Sequence, residues 1–111
     1  GRELAILTRN AQELALLTLE AIGLLDCFAT PMILGREQAI PKPHPDGLIK
    51  IAQQWQITPQ HMAMIGDFHM DLASAQAAGA YAVLVNREKD LWPELTNFHA
   101  VNCQQLLAAL S

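Results

Sequence analysis

Cysteine is scarce in this 111-residue chain: Cys27 and Cys103 stand alone, with no Cys-x-x-Cys pair and no Cys/His ligand spacing. Neither a disulfide framework nor a zinc pattern is present, so reduced, partly buried thiols in a cytoplasmic protein are the expectation. No uninterrupted apolar run reaches about 18 residues, which argues against a membrane-spanning helix. Basic clusters are missing too. Seven Lys and Arg are scattered against eleven Asp and Glu, for a net charge of −4, which argues against a nucleic-acid or anionic-membrane surface. No signal peptide is legible, and a start at Gly-Arg-Glu leaves the native N-terminus open. No Gly-x-Gly-x-x-Gly follows any predicted strand, so dinucleotide binding is set aside. There is no internal repeat and no low-complexity segment. What is there is 51% apolar and 16% charged, the balance of one compact globular domain.

Short apolar runs alternate with helical spacing along the chain. Leu4 to Leu7 is too short for a helix and ends on Thr8. Asn10, with Glu13 three residues on, suggests a capping box. Leu14, Leu17, Ala21 and Leu24 then recur at helical spacing, and Gly23 is the expected terminator. Met32 to Leu34 is a second short run, between Pro31 and Gly35. Pro41, Pro43 and Pro45 stiffen a loop from which a helix can begin only at about Pro45. Leu48, Ala52 and Trp55 line that helix, which stops before Pro59. Met62 to Ile65 predicts a third strand, and a third helix follows Asp71 to Gly79. Tyr81 to Val85 reads as a strand buried on both faces. A loop over 86–98 leads to a short edge strand at Ala100 and Val101, and Leu106, Leu107 and Leu110 mark a closing helix. Strands alternating with helices predict an α/β domain with a parallel sheet.

In such sheets function gathers at the carboxyl ends of the strands. Thr8 ends the first strand, Asp67 ends the third, Asp71 lies four residues beyond, and Lys42 precedes the second helix. Each alone has an ordinary reading: a turn threonine, a solvated lysine, a turn aspartate and an N-terminal helix carboxylate. Together they supply what phosphate-plus-metal chemistry needs. A hydroxyl and an ammonium bind phosphate oxygens, and carboxylates hold a hard cation such as magnesium.

Three stretches resemble the haloacid dehalogenase superfamily, most nearly its phosphoglycolate-phosphatase-like branch. "LAILTRN" is similar to its second motif, "KPHPDGLIKIAQQWQI" to its third, and "MIGDFHMDLASAQAAGAYAVLV" to its fourth, together covering about residues 3 to 86. The resemblance implies a Rossmann-like parallel sheet with flanking helices. It also implies a Mg2+-dependent phosphatase acting on a small phosphorylated metabolite through an aspartyl-phosphate. Thr8 and the backbone amide of Arg9 would then bind the phosphoryl group, and Lys42 would neutralise charge on nucleophile and phosphate. Asp67 would ligate the metal, and Asp71 would hold a metal-bound water or the loop around it. A cis Lys42-Pro43 bond, aiming the lysine inward, is implied as well. Phe68 and His69 stand where many relatives carry small residues. His69 is read as exposed or packed rather than substrate-touching.

The family's first motif, Asp-x-Asp-x-Thr, has no match. Asp26 is the only aspartate ahead of Lys42, and "LLDCF" suits a surface or capping role. The resemblance places the first-motif strand between those ending at Thr8 and Asp67. Residues 1–111 are therefore read as the C-terminal part of a core domain lacking its central nucleophile strand and its cap, and inactive alone. Buried backbone groups left unpaired cost about 1–3 kcal/mol each, so the missing N-terminal segment, or a second chain, is expected to supply that strand. A response-regulator receiver would place its phospho-accepting aspartate before the threonine and lysine, contrary to the order here. The alternative from another class is a non-catalytic domain or fragment that binds phosphate or a protein partner.

Overall fold

The computed structural model describes residues 3–29 and 32–110. Two strands pair in one small sheet: β1 (Ile6–Leu7) and β2 (Ile33–Leu34), parallel, with Ile6 opposite Ile33. A second parallel sheet runs β3 (Ala63–Gly66), β4 (Tyr81–Val85), β5 (Phe98–Ala100). Among the described residues no ladder joins the two sheets. The helices are α1 (Gln12–Ala21), α2 (Asp46–Trp55), α3 (His69–Ala78) and α4 (Cys103–Leu110).

The main core draws on both sheets. Leu34 from β2 and Met64, Ala82 and Leu84 from β3 and β4 pack under Leu48, Ile51 and Ala52 of α2 and Leu72 and Ala75 of α3. Full burial of a Leu or Ile side chain stabilises by about 1.5–3 kcal/mol, so this layer holds α2 and α3 on one face. Val83, Ala100 and Leu106 form a smaller cluster that seats α4. Four of the five residues of β4 are buried, as a strand covered on both faces requires.

Several expectations are corrected. β1 is two residues long rather than four, because it has a partner on one side only and the pairing ends at Thr8, whose N–H donates to the Leu34 carbonyl at 2.9 Å. Asn10 and Glu13 form no capping box. Ala11 occupies the cap position without a side-chain bond, and the Glu37 carboxylate accepts the Gln12 N–H at 3.0 Å instead. That bond is the main reason the Glu37 carboxyl lies below its ordinary pKa. α1 turns the expected face outward: Leu14, Leu17 and Leu24 are exposed and Leu19 is buried. With leucines all round it, spacing alone does not choose a face. α3 begins at His69, two residues ahead of Asp71. β5 is Phe98–Ala100, and Val101 lies beyond it, exposed. In α4 Leu106 is buried and Leu107 exposed. Both cysteines are free and exposed rather than partly buried. Pro31 lies outside the described residues. No helix among those described is long and apolar enough to cross a membrane.

Candidate active site

The site is built on the carboxyl ends of β1 and β3, which face each other across the break between the sheets. Three local features make it. Gly66 closes β3, and a Cβ on it would lie on the Asp71 carboxylate, so only glycine admits that side chain. The chain then turns through Asp67 and Phe68 into α3. There the Asp71 carboxylate reaches back to accept the Phe68 N–H at 3.3 Å, satisfying one of the orphan donors of a helix start. From the opposite side, the 41–45 loop brings in Lys42, and its bond to Pro43 is cis, as the resemblance implies.

Lys42 ties the two halves together. Its Nζ donates to Asp71 Oδ1 at 2.6 Å and to the Leu7 carbonyl, at the end of β1, at 3.1 Å. Both side chains are nearly buried, at 11% and 12% exposure. Burying these charges is tolerable because each meets its opposite and a further hydrogen bond. Among the described residues one Nζ proton has no acceptor.

Thr8 follows Leu7 directly. Its Oγ1 accepts the Asn10 N–H at 3.1 Å, which uses the oxygen as an acceptor and leaves the hydroxyl proton to give. The Arg9 N–H has no acceptor among the described residues. The Arg9 guanidinium crosses the break to the Met70 sulfur, 3.0 Å away. Asp67 is exposed, and its carboxylate makes no hydrogen bond or ion pair among the described residues. His69 is exposed against the Trp92 ring, 6.0 Å between centroids. Asp26 sits in a 3-10 turn at Leu25–Cys27 with no part in the site.

Lys42 and Asp71 thus meet directly beside Leu7, with Thr8 and Arg9 following the end of β1 and Asp67 following the end of β3. Two others escaped the sequence reading. Arg87 Nε donates to the Asp67 carbonyl at 2.7 Å, and Trp92 packs on Phe68 edge-to-face with centroids 5.8 Å apart. Arg87 lies two residues past the end of β4, so the strand-end rule that picked out Thr8 and Asp67 could have found it.

A parallel α/β domain with polar side chains at the carboxyl ends of its strands is of the Rossmann-like class, whose sites lie at those ends. The model of the haloacid dehalogenase-like hydrolases matches residues 1–79, and the chain belongs to that family. Phosphoglycolate phosphatase of Escherichia coli K12 is 34% identical over 83 residues, which are 75% of this chain and 32% of the relative. A phosphatase of the family from Thermococcus onnurineus superposes with a TM-score of 0.85 at 26% identity, covering all of this chain and 51% of that one. A family hydrolase from Deinococcus radiodurans, solved with bound phosphate and sodium, gives 0.82 at 26% identity, over 96% of this chain and 50% of that one. The chain therefore spans about a third of the curated relative's length and half of each solved one.

Proposed function

We propose that residues 1–111 are the C-terminal part of the core domain of a magnesium-dependent phosphatase. Its substrate would be a small phosphorylated metabolite of the kind the phosphoglycolate phosphatase relatives are named for. The observation that carries the reading is Lys42, shared between the end of β1 beside Thr8 and the Asp71 carboxylate. That sharing supports a common site for the Thr8 hydroxyl, the Lys42 ammonium and the carboxylates that follow β3.

Each group has capacity to spare for the chemistry. The Thr8 hydroxyl, the Arg9 amide and the third Lys42 proton would be three donors for phosphoryl oxygens, the kind of group that stabilises developing charge. This sequence contains no Asp-x-Asp-x-Thr, so on this reading the nucleophilic aspartate and its neighbouring acid/base would come from residues outside it. They would attack phosphorus and protonate the leaving oxygen. The donor set suits a hard divalent cation. Asp67 offers a free, exposed carboxylate, and magnesium keeps several waters and takes only one or two carboxylates. No group of three or more ligating side chains occurs among the described residues, so the other ligands would be water and the incoming segment. When bound, the cation supplies charge neutralisation at the phosphoryl group. Asp71 is committed to Lys42 and the Phe68 amide, which favours the loop-holding role over direct ligation.

The test is magnesium-dependent phosphate release by the full-length protein, from 2-phosphoglycolate and from p-nitrophenyl phosphate. Asp67→Asn is expected to abolish the magnesium response, and Asp71→Asn to weaken it by about 10–100-fold, as loss of a supporting partner does. A wild-type magnesium response in Asp67→Asn refutes the assignment. Absence of release from any phosphate ester would leave the non-catalytic alternative standing.

A further inference from the structure

The loop between β4 and β5 reaches back over the turn that carries Asp67. Arg87 Nε donates to the Asp67 carbonyl at 2.7 Å, and its guanidinium lies 5.6 Å above the Trp92 ring. Trp92 in turn packs on Phe68 and His69, the two residues that follow Asp67. The loop itself is pinned. His99 on β5 lies 2.6 Å from the Arg87 carbonyl through Nε2, which fixes that nitrogen as the protonated one, and the Trp92 backbone N–H donates to Asp90 Oδ1 at 3.1 Å. The turn at 67–68 is thus held on one side by Asp71 and on the other by Arg87.

We propose that Arg87 is a positioning residue for the Asp67 carboxylate, with Trp92 as its brace. This rests on the reading of Asp67 as a metal ligand. A carboxylate on a turn can rotate away unless its backbone is fixed, and partners hydrogen-bonded to the ligands themselves set metal affinity by about 10–100-fold, so a bond to the ligand's backbone is expected at the low end. Arg87 reaches the carbonyl rather than the carboxylate, so it orients Asp67 without occupying the oxygens that would meet the cation. A guanidinium also lies flat on an indole while donating in its plane, which an ammonium cannot do.

Two variants of the full-length protein, Arg87→Met and Arg87→Lys, are compared with Asp67→Asn. Mn2+ binding is followed by the paramagnetic signal of the free ion, with Mg2+ as competitor, alongside melting temperature and the Mg2+ concentration for half-maximal turnover. Both Arg87 variants are expected to bind Mn2+ about tenfold more weakly and to need more Mg2+, with turnover recovering at saturating Mg2+. The lysine variant keeps the charge, so its failure to rescue assigns the effect to hydrogen-bond geometry. Unchanged Mn2+ affinity in the folded Arg87→Lys protein overturns the role, as does tighter binding in Arg87→Met, which would make Arg87 a simple repulsive charge. Wild-type Mn2+ binding in Asp67→Asn overturns the metal assignment and this inference with it. Weakened binding there beside unchanged binding in both Arg87 variants overturns the inference alone.

Discussion

Lys42 divides its protons between a backbone carbonyl and a carboxylate, and the consequences of removing it follow from what is left behind. Lys42→Met strands a nearly buried Asp71 charge, and breaking such a pair from one side costs about 3–5 kcal/mol. The remaining Phe68 N–H bond puts the expected loss near the lower figure, read from urea unfolding. Adding Asp71→Asn should recover part of it, because the neutral amide oxygen still accepts from Phe68. If the double variant is less stable than Lys42→Met alone, the stranded charge is not the cause. Asp46 offers a pH-dependent counterpart. Its carboxyl is held below its ordinary range first by the Ile40 N–H, 2.9 Å away, and then by Lys50. A lowered folded-state pKa contributes stability above the unfolded value, about 3.9, and loses it as pH falls through the folded value. Asp46→Ala should therefore be less stable than wild type at pH 7, by about 1 kcal/mol for the lost bond. The gap should narrow as pH falls below the unfolded value, and a gap that does not change with acidification refutes the linkage.

At the scale of elements, helix ends and one close approach decide the geometry. α2 and α3 finish in the same way, with a left-handed residue and paired bonds back into the last turn, at Gln56 (φ 58°) and Gly79 (φ 83°). Glycine suits that conformation and a residue with a Cβ resists it. Gln56→Gly is therefore expected to stabilise by about 1 kcal/mol and Gly79→Ala to destabilise by a similar amount, both measured by chemical denaturation. The nearest atom to a Cβ at Gly79 is Gln60 Nε2 at 3.6 Å, an ordinary contact, so the cost there is backbone strain alone. A gain in stability from Gly79→Ala would contradict this. Gly66 is different in kind: a methyl group there displaces Asp71, so Gly66→Ala should lower activity through the lost Lys42 pairing even where the fold survives.

For the whole molecule, the decisive feature is the break between the sheets. Among the described residues β1 and β3 each keep one edge without a ladder, and an open edge invites another strand. Lys42 and Arg9 cross the break near the strand ends. Ile65 of β3 is 47% exposed and Leu17 of α1 57%, apolar surface that further protein could cover. On the proposed reading, the expected outcome for the isolated 111 residues is no magnesium-dependent hydrolysis of p-nitrophenyl phosphate, since Thr8, Lys42 and Asp67 would bind and orient but not attack phosphorus. Turnover should appear in the full-length protein, or on adding a separately expressed segment that bears the first motif and cap. Robust turnover by the isolated chain, lost in Asp67→Asn, would show that a nucleophile lies within it.

The order of strands and helices, the parallel class and the residues at the strand ends are all legible in the amino-acid pattern. Those features are written in short-range terms: run length, the proline loop before α2, and Gly-Asp-x-x-x-Asp at the start of α3. Tertiary structure alone decided which face of α1 is buried, because its leucines encircle the helix and only the packing partner selects Leu19. The partner of the α1 N-terminus was likewise illegible, since Glu37 lies 25 residues from Gln12. The same holds for the supports of the site. Leu7 and Phe68 act through backbone groups that carry no side-chain signature. Arg87 meets Asp67 only because β4 pairs in parallel with β3, which brings the ends of both strands to the same edge.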